Sequence, residues 1–151
     1  MPTVKRLDHV GVTVLDLDEM IRFFEVLGLE VQGRVDGFEG EFLDTVCGIP
    51  HSKTSIVMLG IPGTDVGIEL SSFERPAGGS IHSDQMANDP GLRSLAFEVE
   101  DLDALLDVLS EQGHSLIGGV GEHEGVWKMA YVRGPERIIV ALAQRIDGSR
   151  P

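Results

Sequence analysis

The chain has 151 residues, a formal net charge of −13 and a hydrophobic content of 42%. This length fits one ordinary domain, or two small halves that share a core. The acidic charge argues against nucleic acid and anionic membrane as partners, because phosphate groups need a basic surface. We find no apolar run of membrane-spanning length and no leader-like segment, and the single Cys47 cannot form an internal disulfide. We therefore expect a protein of the reducing cytoplasm.

The first predicted elements are a strand over roughly 7–15 and a helix in "DLDEMIRFFEVLG". The helix has apolar residues at i, i+3, i+4 and i+7, with Asp16 as the predicted N-cap and Gly28 as the C-terminal stop. Side chains alternate across a strand, so one face of 7–15 would pack on the helix. The opposite face would carry His9, Gly11 and Thr13.

Three further strands complete the first half, over roughly 29–36, 54–61 and 66–72. The intervening region 37–53 is predicted to be a long loop that covers something, as lids do. In the strand "VGIELSS", alternation places Glu69 on the face of small and polar residues. We therefore expect Glu69 to approach His9 from a neighbouring strand.

The second half repeats the first. The segment "GLRSLAFEVEDLD" matches "RLDHVGVTVLDLD" at an offset of 85 positions, and the offset continues through the following helix to Gly113. Between the halves lies a linker rich in Gly, Pro, Ser, Asn and Asp. The remaining strands are predicted over roughly 92–99, 115–120, 126–133 and 137–144. The predicted division is 1–73 for the first module, 74–90 for the linker, 91–146 for the second module and 147–151 for the tail.

The two halves differ at polar positions although their framework agrees. Ser94 stands at the position of His9, and Ala141 at the position of Glu69. Each half has one apolar face and one face of small or polar residues. We therefore predict an α+β fold with two tandem β-α-β-β-β modules, whose curved mixed sheet encloses a cavity.

These segments resemble the vicinal-oxygen-chelate superfamily, which includes glyoxalases, bleomycin-resistance proteins and extradiol dioxygenases. The resemblance runs from "LDHVGVTVLDLDEMIRFFEVLGL" to "YVRGPERIIVALAQ". It implies paired modules around a cavity, a homodimer, and a divalent ion held by inward-facing His, Glu or Gln. It matches His9 and Glu69 to two ligand positions and places Ser94 and Ala141 at the other two.

That departure changes the expected chemistry. A serine hydroxyl is a poor neutral ligand and a methyl group is none, so Zn, Ni, Mn or Fe would be bound weakly or not at all. Dioxygenase chemistry is the least expected activity, because its iron needs two His and a carboxylate. His82, in the linker, is the best outside candidate for a missing ligand.

Three interpretations remain open. The first is a glyoxalase- or epimerase-like lyase or isomerase, in which His9 and Glu69 bind metal or one of them is a general base. The second is a metal-free small-molecule binding or resistance-type protein, and the third is a satisfied polar pair without a task. The candidate substrate-binding residues are Ser94, Ala141, Trp127, Phe42, Met58 and Arg93.

Overall fold

The computed structural model describes residues 3–81 and 84–148. The chain divides into two compact units, Met1–Ser80 and Ile81–Pro151. Each unit combines a mixed sheet with a helix, so the α+β class is confirmed. The finer predicted division, with a separate linker and tail, stays a prediction. In the described part of the chain, no helix has the length and apolar character needed to cross a membrane.

The first unit contains a four-stranded sheet in the order β1-β4-β3-β2. β1 is parallel to β4, and the other two pairs are antiparallel. In chain order the elements are β1 (His9–Thr13), α1 (Leu17–Val26), β2 (Glu30–Glu39), α2 (Glu41–Cys47), β3 (Lys53–Gly60) and β4 (Gly67–Arg75).

α1 begins and ends where the sequence predicts. The Asp16 carboxylate accepts a hydrogen bond of 3.0 Å from the backbone N–H of Glu19, which satisfies one donor of the first turn. Gly28, with φ of 96°, lets the chain leave the helix at a conformation that other residues avoid. The buried side of α1 consists of Leu17, Met20, Ile21, Phe23 and Phe24.

The core of the first unit lies between α1 and one face of the sheet. α1 contacts β2 and β4, and Val57, Leu59 and Leu70 below it are fully buried. Burial of such side chains stabilises the fold by about 1.5–3 kcal/mol each. The opposite face, called the His9 face below, carries His9, Gly11, Thr13, Ile56, Met58, Gly67, Glu69 and Ser71.

The predicted loop over 37–53 is wrong. β2 continues to Glu39, and the seven-residue α2 follows it. The Asp44 side chain accepts hydrogen bonds from the N–H and hydroxyl of Ser52, at 2.8 and 2.7 Å, and from the N–H of His51. Arg75 donates to the carbonyl of His51 and to the carboxylate of Glu39. These bonds fix the segment to the sheet, so it is not a free lid.

The second unit has a sheet in the order β5-β9-β8-β6, with β7 also paired to β8. The predicted strand over 115–120 is shorter in the structure, ending as a strand at Leu116, although the N–H of Ile117 still donates to the carbonyl of Tyr131 at 2.9 Å, and a separate strand begins at Gly121. Its helix is capped as in the first unit, with Asp101 accepting from the N–H of Ala104 at 3.0 Å. The elements are β5 (Leu95–Glu98), α3 (Leu102–Glu111), β6 (Ser115–Leu116), β7 (Gly121–His123), β8 (Trp127–Arg133) and β9 (Ile139–Arg145).

Candidate functional site

His9 and Glu69 meet on the His9 face. Gly11 pairs with Glu69 in the parallel ladder of β1 and β4, which brings the side chain of His9 alongside that of Glu69. Nε2 of His9 lies 3.3 Å from Oε2 of Glu69, and the two side chains are 35% and 29% exposed. The sequence predicts this approach, and the structure shows it with both groups open to solvent.

Two further side chains extend this pair. Nδ1 of His9 lies 2.7 Å from Oδ2 of Asp8, whose other oxygen lies 2.7 Å from the guanidinium of Arg6. The hydrogen bond with His9 and then the charge of Arg6 hold the pKa of Asp8 below its ordinary value of 3.8. On the other side, the Ser71 hydroxyl lies 3.5 Å from Oε1 of Glu69. The sequence analysis missed Asp8 and Ser71, although Ser71 shares the strand face of Glu69.

The surroundings of the pair are small or apolar. Met58 is the cross-strand partner of Glu69, and Ile56 is the partner of Ser71, both on the His9 face. Apart from the chain neighbours of Gly11, no atom of the described residues would lie within 4 Å of a Cβ at this position, so there is open space beside Glu69. A ligand on this face would therefore meet two polar groups and an apolar floor.

The strand pairing in the second unit agrees with the sequence correspondence between the two repeats. Ala96 pairs with Ala141 in the parallel ladder of β5 and β9, as Gly11 pairs with Glu69 in the first unit. Ala141 is only 4% exposed, and Ser94 precedes β5 and is half-buried. Neither offers a ligating group comparable to an imidazole or a carboxylate.

Comparison with known proteins decides the family. A family model described as Glyoxalase/Bleomycin resistance protein/Dioxygenase superfamily matches residues 6–142. A glyoxalase family protein from Bacillus cereus is 34% identical in sequence, with 96% of this chain and 97% of that chain covered and a TM-score of 0.90. The chain belongs to this superfamily.

More distant solved structures share the fold. The trypanothione-dependent glyoxalase I of Leishmania major is 23% identical, with 93% of this chain and 87% of that chain covered and a TM-score of 0.66. An antibiotic binding protein from Streptomyces is 19% identical, with 96% and 99% covered and a TM-score of 0.62. At these identities the likeness shows the fold alone. No curated protein matches the chain significantly.

The residues of this glyoxalase-superfamily chain do not fit a tightly held divalent ion. Within residues 3–81 and 84–148, no group of three or more His, Cys, Asp or Glu side chains is arranged to hold a metal. His9 and Glu69 are two donors, whereas a stable site needs three or more protein ligands. His82, the outside candidate for a missing ligand, lies outside the described residues.

The structure also places the remaining predicted binding residues. Met58 lies on the His9 face, whereas Phe42 projects from α2 and is 72% exposed. In the second unit, Arg93 precedes β5 and its side chain is exposed. The ring of Trp127 is in contact with Arg145, whose guanidinium carbon lies 4.7 Å from the ring centroid. Their roles in ligand binding stay predictions.

Two acidic side chains near the start of the predicted loop form ion pairs with arginine residues. Asp36 accepts from the guanidinium of Arg34 at 3.0 Å, and Glu39 is bound to Arg75 at 2.6 Å. Arg34 also helps line a groove of about 470 Å³ on the α1 side of the first sheet, which the sequence analysis missed. That groove is lined by Leu15, Asp16, Leu17, Asp18, Arg34, Ser55, Ser72, Phe73 and Glu74.

Proposed function

We propose that this glyoxalase-superfamily protein binds a small organic molecule on the His9 face, with His9 and Glu69 as its polar anchor. The observation that carries the proposal is the imidazole–carboxylate pair, 3.3 Å apart and about one-third exposed. Met58 and Ile56 supply an apolar floor beside it. Binding would not depend on a tightly held metal ion, because the described residues provide only two suitable donors.

The internal repeat supports the choice of this face. The second unit has the same ladder but carries Ala141 in place of Glu69 and Ser94 in place of His9. The fold is thus formed without the polar pair, which makes a purely structural role for it unnecessary. The pair and its apolar neighbours also combine the few polar groups that orient a ligand with the apolar surface that contacts it.

A lyase or isomerase activity is the second candidate, favoured by the contact between His9 and Asp8. Glu69 is placed to remove a proton from a carbon α to a carbonyl, so that the C–H electron pair forms an enolate. A protonated His9 would then donate its Nε2 proton to the enolate oxygen.

We further propose that the protein is a cytoplasmic homodimer. The family relationship supports this proposal, as do the exposed edges of the sheets, which a partner subunit would cover.

Thermal-shift screening tests the main proposal. A fragment library is screened against the wild type with a chelator present, and each stabilising compound is repeated with His9→Ala and Glu69→Ala. We expect compounds that raise the Tm of the wild type and lose at least half of that shift in both variants. Arg34→Ala, which alters the groove on the α1 side, serves as the matched control and should keep the shift.

Two outcomes would count against it. Compounds that stabilise Glu69→Ala as strongly as the wild type would place binding elsewhere. The second outcome is that zinc, nickel, manganese or iron stabilises the protein and one ion per chain is retained after desalting. That result would contradict our proposal that ligand binding does not depend on a metal ion.

A further inference from the structure

The imidazole of His9 has a carboxylate on each side. Nδ1 lies 2.7 Å from Asp8, and Nε2 lies 3.3 Å from Glu69. A neutral imidazole carries a single N–H, so it can donate to only one of them. For a neutral His9, the shorter contact favours Asp8 as the acceptor of that proton.

Asp8 is itself held in place as an acceptor. Arg6 binds the carboxylate oxygen that His9 does not use, at 2.7 Å. The hydrogen bond with His9 and the charge of Arg6 lower the pKa of Asp8, which favours its carboxylate form. The orientation of this carboxylate is therefore fixed by two partners rather than one.

The repeat supplies an independent observation. At the same offset of 85 positions, the second unit has Arg93 where the first has Asp8, and Ser94 where it has His9. The framework positions around them agree, as in Leu7 and Leu92 or Asp16 and Asp101. The three polar residues Asp8, His9 and Glu69 are thus replaced together, as expected of groups that act as one unit.

We propose that Asp8 is a positioning residue that fixes His9 as the Nδ1–H tautomer, so that Nε2 and the Glu69 carboxylate form a paired acceptor for the ligand. Two acceptor atoms 3.3 Å apart repel each other until a donor group binds them both. This inference rests on the proposed function, and it specifies the ligand chemistry. The ligand would bring a cationic nitrogen with two N–H donors, such as an amidine, joined to an apolar body that lies over Ile56 and Met58.

Imidazole ¹⁵N spectra test the tautomer directly in ligand-free protein treated with a chelator. At about pH 8.5, roughly two units above the ordinary imidazole pKa, we expect a protonated Nδ1 and a bare Nε2 at His9. Asp8→Ala should move the proton to Nε2, whereas Asp8→Asn should keep it on Nδ1 because the amide oxygen still accepts. Asp36→Ala, at another exposed and Arg-paired carboxylate, is the control and should leave His9 unchanged.

A wild-type His9 that is protonated on Nε2 at this pH would overturn the inference, as would an Asp8→Ala spectrum identical to that of the wild type. Rescue by Asp8→Asn separates the hydrogen bond to Nδ1 from the charge of Asp8, since both variants remove the charge and only asparagine keeps an acceptor.

Benzamidine tests the paired acceptor, because its amidinium has two parallel N–H donors on an apolar ring. We expect it to shift the His9 signals of the wild type and of Asp8→Asn, and to bind Asp8→Ala roughly tenfold more weakly. If wild-type His9 has the Nδ1–H tautomer but the protein does not bind benzamidine, the paired acceptor is wrong, whereas the positioning role of Asp8 stands. Failure of the screened compounds to depend on Glu69 would instead overturn the proposed function, so the two failures are distinguishable.

Discussion

At the scale of single residues, Asp44 stabilises the turn between α2 and β3. Its carboxylate accepts from the hydroxyl and N–H of Ser52 and from the N–H of His51. These hydrogen bonds, the Ser52 side chain first, lower the pKa of Asp44 below its ordinary value of 3.8. A folded-state pKa below the unfolded value means that the stabilisation is present above the unfolded pKa and is lost as the pH falls through the folded value.

Asp44→Asn should therefore lower the Tm at neutral pH and have a smaller effect at about pH 3, because the stabilisation begins to be lost once the pH falls below the unfolded-state pKa. Thermal unfolding followed by circular dichroism at both pH values measures the difference. Asp107→Asn, on the exposed side of α3, is the control. A loss of Tm in Asp44→Asn that is equal at both pH values would show that the hydrogen bonds do not depend on the charge.

The sequence predicts the principal residues of the site but not their supporting contacts. Alternation along β1 and β4 is enough to place His9 and Glu69 on one face, because the period of a strand is two. The contact between Asp8 and His9 depends on the side-chain rotamers of neighbouring residues, which alternation does not specify. Asp8 would in fact be assigned to the opposite face by alternation alone.

At the scale of elements, the helix caps explain why α1 and α3 are predictable. Asp16 and Asp101 cap the two helices with equal hydrogen bonds of 3.0 Å. The helices also have the apolar periodicity of 3.6 residues. α2 has seven residues, of which only Leu43 is buried, so its sequence shows no such periodicity and predicts a loop. β7 has three exposed residues and gives no alternation that the sequence could reveal.

Asp16→Ala should reduce the free energy of unfolding by about 1 kcal/mol, the ordinary cost of losing an N-cap. Asp101→Ala provides the matched variant in the second repeat and should cost a similar amount. Chemical denaturation of both variants gives the values. An unchanged stability in either variant would mean that the cap is replaced by solvent at no cost.

Gly11→Ala tests the open space in β1. Alanine at this position should stabilise the strand by about 0.5–1 kcal/mol, because glycine loses more backbone entropy on folding. The equivalent residue in β5 is Ala96, so the ladder accepts a Cβ there. On the His9 face the added methyl would narrow the space beside Glu69, and we expect weaker binding of the compounds found by thermal shift.

Gly33→Ala is the matched control for that change, since a Cβ there also meets no atom within 4 Å. It lies on β2 beside Met58 and is two strands away from Glu69. It should weaken compound binding less than Gly11→Ala does. Equal weakening by both variants would contradict a site centred on Glu69.

At the scale of the whole molecule, a duplicated framework carries its polar pair in one repeat only. The first unit has His9 and Glu69 on neighbouring strands, and the second has Ser94 and Ala141 at the corresponding positions. Membership of the glyoxalase superfamily explains the framework. The difference between the repeats supports our proposal that a ligand binds to the first unit.

Amide chemical-shift mapping tests that central claim most directly. ¹H–¹⁵N spectra of the labelled protein are recorded with each stabilising compound and a chelator, and repeated with Glu69→Ala. We predict that the largest shifts fall on His9, Gly11, Met58 and Glu69 and that they disappear in the variant. Shifts that cluster around Arg34 and Ser72, or that persist in Glu69→Ala, would contradict the account.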